Sequence, residues 1–411
     1  MKKITKLMAM FMALAMLSTA AGCGSKAGNE AENNTDENAV QETAKDVKVG
    51  FIFLHDENST YDKNFMDAAN AAKEKLGLTD DQVMFKTNIP ETAECYEAAA
   101  NLADAGCDLI FADSFGHEDF MIQAAKEFTD VTFAHATGTK AHTENLPNFY
   151  NAFASIYEGR YLAGVAAGLK LNEMIENGDI TAEQAKMGYV GAYPYAEVKS
   201  GYTSFYLGAK SVCPSVTMDV KFTNSWFDIA AEKETANALI AGGCVLISQH
   251  ADSEGAPKAC EEAGVPNVAY NLDTREWGPN TALISSKINW EPYFEHIINA
   301  VANGTAIEQD YCKGFSDDVV RVFGLNDKVA AAGTQEKLDE VKAKLISGEI
   351  KVFDTATFTV GGNTVTEYKA DVDSDAEFTP DTDVVSDGYF HESEKRSAPY
   401  FDIDIDGITL K

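Results

Sequence analysis

Residues 85–116, FKTNIPETAECYEAAANLADAGCDLIFADSFG, and residues 221–253, KFTNSWFDIAAEKETANALIAGGCVLISQHADS, are two copies of one pattern. Each copy has a short β-branched or aromatic run that ends in Thr-Asn, then an Ala-rich stretch, a Gly-Cys stop and a second apolar run. Short apolar runs on both sides of a helix are typical of parallel strands that are buried on both faces. Each copy is therefore predicted to be a strand, a helix and a strand with a right-handed crossover.

Two such units in one chain of 411 residues predict two similar α/β lobes, each built on a doubly wound parallel sheet. In these sheets ligands bind beyond the carboxyl ends of the strands. The loops that we expect to face a ligand are therefore those that follow strands: 55–65, 88–92, 112–118, 193–198, 224–228 and 249–255.

The first lobe is predicted to contain residues 47–154 and 274–310, and the second residues 155–273 and 311–411, with crossings near 153, 274 and 310. The second lobe is predicted to include a C-terminal extension, which has a hairpin turn at Gly361-Gly362 and adds a strand to a sheet edge. The long apolar helix after Ser155 carries Gly164 and Gly168 four residues apart, a spacing that allows close backbone approach.

The N-terminus has the parts of a bacterial export signal: three lysines, the apolar run LMAMFMALAML, and small residues up to Cys23. Ala20-Ala21-Gly22-Cys23 resembles a lipobox, so residues 1–22 are predicted to be a signal peptide and Cys23 the lipid attachment site. The alternative is an ordinary signal peptide with an incidental cysteine. Residues 23–46 are polar and acidic, which predicts a flexible tether. We expect the protein to be anchored by lipid at the extracytoplasmic face of the cell membrane, without spanning it.

The formal net charge of −32 makes nucleic acid and anionic lipid poor partners. Six cysteines follow Cys23 without a C-x-x-C pair, so we expect no metal site and no cofactor. Cys107 and Cys244 stand at predicted strand starts, where a small buried hydrophobic residue is the favoured interpretation over a disulfide or a metal ligand.

Candidate ligand contacts are the aromatic and polar residues in the loops that follow strands. In the first lobe they are Asp56, Tyr61, Phe65, Asp113 and Ser114. In the second lobe they are Asn224, Trp226, Gln249, His250 and Asp252. Some of them also have a structural interpretation: Asp56 and Ser114, like Asp228, as helix caps, and Trp226 as a core residue under a helix.

Four segments, SIYEGRYLAG (155–164), GYVGAYPYAEV (188–198), TNSWFD (223–228) and QHADS (249–253), resemble the basic membrane protein family. This family contains substrate-binding lipoproteins of ABC transporters, including purine nucleoside receptors. The resemblance implies a type I periplasmic-binding-protein fold, with two lobes joined by three crossing segments.

The resemblance also implies a site in which aromatic rings from both lobes hold a purine. Trp226 falls at the stacking aromatic of the second lobe, and Asp273 falls at the acid that accepts hydrogen bonds from ribose hydroxyls. Lys287 is one residue away from the position of a family lysine.

An enzyme is not expected, because His250 with Ser253 is the nearest approach to a catalytic dyad and no oxyanion loop or Gly-rich phosphate loop accompanies it. The leading interpretation is a monomeric receptor that delivers a purine nucleoside or nucleobase to an ABC permease. The second is a receptor of the same fold for another small solute, such as a sugar or a furanose signal. The third is a surface lipoprotein that only signals or adheres.

Overall fold

The computed structural model describes residues 46–372, 375, 377 and 379–411. The predicted signal peptide, Cys23 and nearly all of the predicted tether lie outside the described residues. The described residues belong to one compact unit, and within it two sheets, built mainly of parallel strands, define two lobes.

The first sheet has the strand order β11-β5-β4-β3-β1-β2, and every neighbouring pair in it is parallel. Its strands are β1 (Val49–Ile52), β2 (Val83–Lys86), β3 (Leu109–Ala112), β4 (Thr132–Ala136), β5 (Phe149–Ala154) and β11 (Asp310–Lys313). The helices of this lobe are α1 (Thr60–Leu76), α2 (Ala93–Asp104), α3 (Glu118–Glu127), α4 (Ala141–Glu144) and α9 (Glu291–Asn303).

The second sheet has the order β12-β10-β9-β8-β6-β7-β17 and is parallel except for the pairing of β12 with β10. Its strands are β6 (Lys186–Gly191), β7 (Thr217–Phe222), β8 (Leu246–Gln249), β9 (Asn267–Tyr270), β10 (Ala282–Ile288), β12 (Val320–Phe323) and β17 (Ile408–Leu410). The helices are α5 (Ile156–Glu176), α6 (Ala196–Val212), α7 (Ile229–Ala241), α8 (Gly255–Ala263) and α10 (Thr334–Ile346).

The two copies of the sequence repeat occupy equivalent places, because the orders β2-β1-β3-β4-β5 and β7-β6-β8-β9-β10 are the same. The match extends to the backbone. Asn88 and Asn224, the second residues of the two Thr-Asn pairs, both have φ of 58°, a left-handed conformation that asparagine adopts more readily than most residues. The predicted pair of doubly wound lobes is therefore confirmed.

The crossings between the lobes differ in part from those expected. The first lies after β5, which ends at Ala154. The sequence predicts residues 274–310 in the first lobe, but Ala282–Ile288 form β10 in the middle of the second sheet. The second crossing therefore lies between β10 and α9, and the third lies between β11 and β12, after Lys313. The run ALISSKI is apolar enough for either sheet, so only the pairing of β10 with β9 and β12 decides its lobe.

The C-terminal extension lies on the second lobe, and β17 adds to the sheet edge beside β7. Its other strands are two-residue pieces: β13 (Lys369–Ala370) pairs with β14 (Thr382–Asp383), and β15 (Val385–Ser386) pairs with β16 (Tyr389–Phe390). At the predicted hairpin turn, Gly361-Gly362 is closed by a single antiparallel bridge between Val360 and Asn363.

Helices α5 and α6 are in close contact, as the glycine spacing predicts. A Cβ atom on Gly164 would lie 2.0 Å from the carbonyl oxygen of Phe205, and one on Gly208 would lie 1.9 Å from that of Tyr161. No side chain fits at these distances, so glycine is required at both positions.

Candidate functional site

A cavity lies between the lobes, at the carboxyl ends of both sheets. Residues after β1 and at the start of α1 supply Leu54, His55, Tyr61 and Asp62, and residues after β3 and β4 supply Ser114, Phe115 and Thr137. The second lobe supplies Glu197, Trp226, His250 and Asp252.

The two lobes are in contact across this cavity. The backbone N–H of Thr60, in the first lobe, donates to the carbonyl oxygen of Asp252 in the second, over 2.8 Å. At the mouth, the rings of Phe115 and Tyr195 lie 5.2 Å apart with an angle of 30° between their planes. Both rings are exposed, by 39% and 42% respectively. The lobes are therefore in a closed arrangement.

Trp226 lines the second-lobe wall and is supported by two neighbouring aromatic rings. Trp226 is half-buried, and its ring makes an edge contact with Tyr193 at 5.1 Å and a tilted contact with Tyr195 at 6.0 Å. Trp226 comes two residues after Asn224, whose left-handed conformation follows the end of β7 at Phe222, and it lines the cavity. The wall offers π-faces against which a flat ligand can stack.

The first lobe places a hydrogen-bonded acid at the cavity. Asp62 accepts hydrogen bonds from the backbone N–H of His55 (2.8 Å) and the hydroxyl of Ser59 (2.6 Å), and its second oxygen lies 3.3 Å from Nδ1 of His55. Burial alone would raise the pKa of Asp62, but these hydrogen bonds hold it below its usual value. Behind Asp62, burial and the nearby Asp62 carboxylate raise the pKa of Asp113 well above its usual range. Tyr61 donates its hydroxyl to the carbonyl oxygen of Asp113 over 2.8 Å.

The second lobe orients a glutamate through a histidine. Nε2 of His250 is 3.1 Å from a carboxylate oxygen of Glu197, and Nδ1 of His250 is 3.3 Å from the hydroxyl of Tyr189. Burial and the nearby Arg160 guanidinium lower the pKa of His250, which favours the neutral imidazole. A neutral imidazole that donates to Glu197 and accepts from Tyr189 satisfies all three groups.

Asp252 is the most deeply buried second-lobe acid of the cavity lining. Burial, and then the nearby carboxyl groups of Glu232 and Asp62, raise the pKa of Asp252 well above its usual range. A carboxyl group that is held toward its neutral form can donate a hydrogen bond as well as accept one. A site with several acids favours a ligand without negative charge.

Thr137 has a backbone φ of 63° at the cavity wall. A β-branched residue in this left-handed region is unusual and costs on the order of 1–3 kcal/mol. Such conformations are found most often at binding and catalytic sites, which agrees with the position of Thr137.

Five of the predicted contacts line the cavity: Tyr61, Ser114, Trp226, His250 and Asp252. The side chain of Ser114 makes no capping hydrogen bond to the short helix that follows, and its hydroxyl donates to Glu91 over 2.6 Å. Asp228, in contrast, caps α7 by accepting from the backbone N–H groups of Ala230 and Ala231.

The structure places Phe65 in the core of the first lobe and not in the cavity. Its side chain is 0% exposed and stacks on Trp290 with ring centroids 4.5 Å apart. Phe65 follows Tyr61 by one helical turn on α1, and the helix directs this residue into the sheet that it covers.

Asp273 and Lys287 also lie outside the cavity lining. Asp273 is exposed and forms a salt bridge with Arg275, in which the closest N–O distance is 2.5 Å. The ammonium group of Lys287 lies over the ring of Phe323, 5.4 Å from its centroid. Both residues are held by neighbours of the second lobe, so neither meets the expected role in this closed arrangement.

Four further predicted contacts lie at the strand ends around the cavity without lining it: Asp56, Asp113, Asn224 and Gln249. Gln249 is buried and accepts a hydrogen bond from Asn267 over 3.1 Å. Asp56 accepts from Asn58 over 2.7 Å, and Asn224 is exposed in its left-handed turn.

Sequence reasoning missed six cavity residues: Leu54, His55, Asp62, Phe115, Thr137 and Glu197. Four of them, His55, Asp62, Phe115 and Glu197, belong to the loops that were expected to face a ligand. The positions of the strand ends therefore predicted the right loops. They did not predict which side chains of those loops point into the cavity.

The described part of the chain has no cluster of metal ligands, no paired cysteines and no membrane-spanning helix. Within residues 46–372, 375, 377 and 379–411, no three His, Cys, Asp or Glu side chains are arranged to hold a metal ion. Cys107 and Cys244 are buried and unpaired, as the sequence indicates. In the same residues, no helix has both the length and the apolar character needed to cross a membrane.

Comparison with solved structures places the fold among solute-binding proteins. The chain is similar to an ABC transporter solute-binding protein from Aeropyrum pernix K1, with a TM-score of 0.63, 18% identity and coverage of 75% of this chain and 93% of that one. A solute-binding protein from Conexibacter woesei DSM 14684 gives a TM-score of 0.60 at 18% identity, covering 74% and 98%. The predicted periplasmic-binding-protein fold is confirmed.

Proteins with a similar sequence are also named as binding proteins. The chain is 34% identical over 312 residues to a purine-binding protein of Brucella abortus (strain 2308), covering 75% of this chain and 83% of the relative. It is 32% identical over 259 residues to a putative ABC transporter glucose-binding protein of Haloferax volcanii, covering 62% and 61%. It is also 25% identical to the nucleoside-binding protein BmpA of Lactococcus lactis subsp. cremoris, covering 65% and 70%.

The family described as ABC transporter substrate-binding protein PnrA-like matches residues 47–356, which include both sheets except β17. Members of this family bind solutes for transporters and are not enzymes, as the sequence indicates. The chain belongs to the PnrA-like family of ABC transporter substrate-binding proteins.

Proposed function

We propose that this protein binds a purine nucleoside or nucleobase in the cavity between its lobes and delivers it to an ABC permease. The observation that carries the proposal is that Phe115 of the first lobe and Trp226 of the second line one cavity, together with the carboxyl groups of Glu197 and Asp252. A purine presents a π-face to aromatic rings, and its N–H groups and ribose hydroxyls can donate to carboxyl oxygens.

The names of the Brucella and Lactococcus relatives support the same ligand class. The ribose contact needs a new assignment, because Asp273 is exposed and paired with Arg275. We assign it to Asp252 and Glu197, which are the second-lobe acids of the cavity lining.

A sugar is the second candidate ligand. The Haloferax relative, named as a putative glucose-binding protein, favours it, and the acids that suit ribose hydroxyls would also suit those of a hexose. A sugar ring would stack on Trp226 through its C–H face, whereas a purine would present its whole π-face to the same ring.

Calorimetric titration of the purified protein with adenine, adenosine, guanosine, ribose and glucose separates the two candidates. We expect at least one of the three purines to bind more tightly than either sugar, because the flat π-face of a purine covers more of the Trp226 ring than the C–H face of a sugar does. Mass spectrometry of any ligand carried through purification gives an independent reading. Binding of glucose alone would favour the second candidate, and binding of none of the five would remove the purine proposal.

We also propose that the protein acts as a monomer on the extracytoplasmic face of the membrane, where a lipid on Cys23 anchors it. The order of charged, apolar and small residues before Cys23 supports this proposal. Mass spectrometry of the wild type should show that residues 1–22 are absent and that Cys23 is acylated, and Cys23→Ser should give an unlipidated protein. An unmodified Cys23 thiol in the mature wild type would contradict the anchor.

A further inference from the structure

The C-terminal extension is attached to both lobes. Residues 357–411 lie beyond the stretch that the family matches, so the contacts of this segment are additions to the two-lobed receptor. On the second lobe, β17 pairs with β7 through Ile408–Leu410. Lys199, on α6, forms salt bridges with Asp402 (2.9 Å) and Asp404 (3.0 Å) of the extension.

Within the extension, a buried glutamate holds a turn in one shape. Glu392 is 2% exposed, and its carboxylate accepts hydrogen bonds from the backbone N–H groups of Ser393 (3.0 Å), Tyr400 (2.8 Å) and Phe401 (2.9 Å). The ring of Phe401 stacks on Phe353 with centroids 4.3 Å apart. This turn, residues 391–401, is therefore a fixed part of the second-lobe side of the molecule.

The same turn is bonded to the first lobe. Ser397 is 0% exposed, and both its backbone N–H (3.0 Å) and its hydroxyl (2.9 Å) donate to one carboxylate oxygen of Asp310. The other oxygen of Asp310 is 3.1 Å from Nδ1 of His142 on α4. Asp310 begins β11, which pairs with β5 in the first sheet, so Asp310 must move with the first lobe.

Because Asp310 lies at a distance from the point where the chain crosses between the lobes, a rotation of the lobes displaces its carboxylate. The chain leaves the first sheet after Lys313, and three residues of β-strand separate Asp310 from that point by roughly 10 Å. A rotation of about 15° around a hinge there would displace the Asp310 carboxylate by roughly 2.5 Å relative to the second lobe. Hydrogen bonds to Ser397 do not tolerate a displacement of this size.

We propose that residues 391–401 form a strap that holds the two lobes in the closed arrangement through the contact between Ser397 and Asp310. The strap limits how far and how often the empty cleft opens, and therefore how fast a ligand enters and leaves. This role does not depend on which ligand the cleft binds.

Two variants and one control test the strap on the ligand-free protein. Asp310→Ala removes the acceptor of both hydrogen bonds, and Ser397→Ala removes one of them. Asp404→Ala is the matched control, because it removes an acid that joins the extension to the second lobe only. Thermal melting shows whether each variant is folded, and Ser397→Ala carries the test if Asp310→Ala does not fold.

The readouts are the radius of gyration from solution scattering and the hydrogen-exchange rate of the Thr60 amide, whose hydrogen bond to Asp252 crosses the cleft. We expect Asp310→Ala to have a larger radius than the wild type and a Thr60 amide that exchanges roughly tenfold faster, because hydrogen bonds to a charged acceptor no longer oppose opening. Ser397→Ala should change both in the same direction by less, and Asp404→Ala should match the wild type. Wild-type radius and exchange rate in both folded strap variants would overturn the proposal.

Discussion

Replacing Trp290 by alanine is expected to lower the free energy of unfolding by ~3–5 kcal/mol, the cost typical of removing a buried tryptophan. Trp290 is 1% exposed, and it stacks on Phe65 at 4.5 Å and on Phe294 at 6.2 Å. Its edge contacts Phe111 at 6.0 Å and Tyr293 at 5.9 Å. With an unfolding entropy of about 2.1 cal/mol/K per residue, the expected fall in melting temperature is roughly 4–7 °C.

Thermal melts of the ligand-free protein measure this effect. Trp290→Phe is the matched variant, and it should recover part of the loss because a smaller ring still fills most of the space. A melting temperature for Trp290→Ala within one degree of the wild type would contradict the assignment of Trp290 to the core.

Replacing Trp226 by alanine is expected to weaken the binding of a purine by roughly tenfold or more. Stacking of a base on an aromatic side chain is worth ~1–3 kcal/mol by alanine substitution in single-stranded nucleic acid complexes, and 1.4 kcal/mol corresponds to a factor of ten. Trp226 lines the cavity and is half-buried, whereas Trp290 is enclosed. The loss of stability in Trp226→Ala should therefore be clearly smaller than in Trp290→Ala.

Calorimetric titration with adenosine, beside thermal melts, separates the two effects of Trp226. Trp226→Phe keeps an aromatic face and should retain most of the affinity. Trp277→Ala is the control: Trp277 is also half-buried but does not line the cavity, so its removal should leave the affinity unchanged. If Trp226→Ala binds adenosine as tightly as the wild type, Trp226 is not a stacking residue of the site.

The sequence predicted which loops surround the site better than it predicted which side chains line it. Parallel strands bring their carboxyl ends to one edge, so the loops follow directly from the order of strands and helices. The direction of a side chain depends on local geometry. One turn of α1 separates Tyr61, which lines the cavity, from Phe65, which packs on Trp290, and both were equally plausible contacts as aromatic residues near a strand end.

Asp273 and Glu197, two acids of the second lobe, also show that the sequence does not predict which side chains face the cavity. Asp273 matched a family position, yet its carboxylate is neutralised by Arg275 two residues later. Glu197, which had no family role, lines the cavity because His250, 53 positions further along the chain, orients its carboxylate. Contacts of this range are set by the pairing of β6 with β8, and they leave no local pattern in the sequence.

By itself, the sequence determined the two-lobed α/β architecture, because a repeated alternation of short apolar runs and Ala-rich helices has few ways to bury its surface. The spacing of Gly164 and Gly168 also predicted that α5 packs closely on another backbone, and the structure shows that this backbone is α6. Only the tertiary structure decided that β10 belongs to the second sheet, which acids face the cleft, and that Ser397 reaches Asp310 across 87 positions of the chain. The physical reason is that hydrophobic periodicity depends on residues that are close together in the chain. Strand partners and hydrogen bonds between distant segments, in contrast, form only when the whole chain is folded.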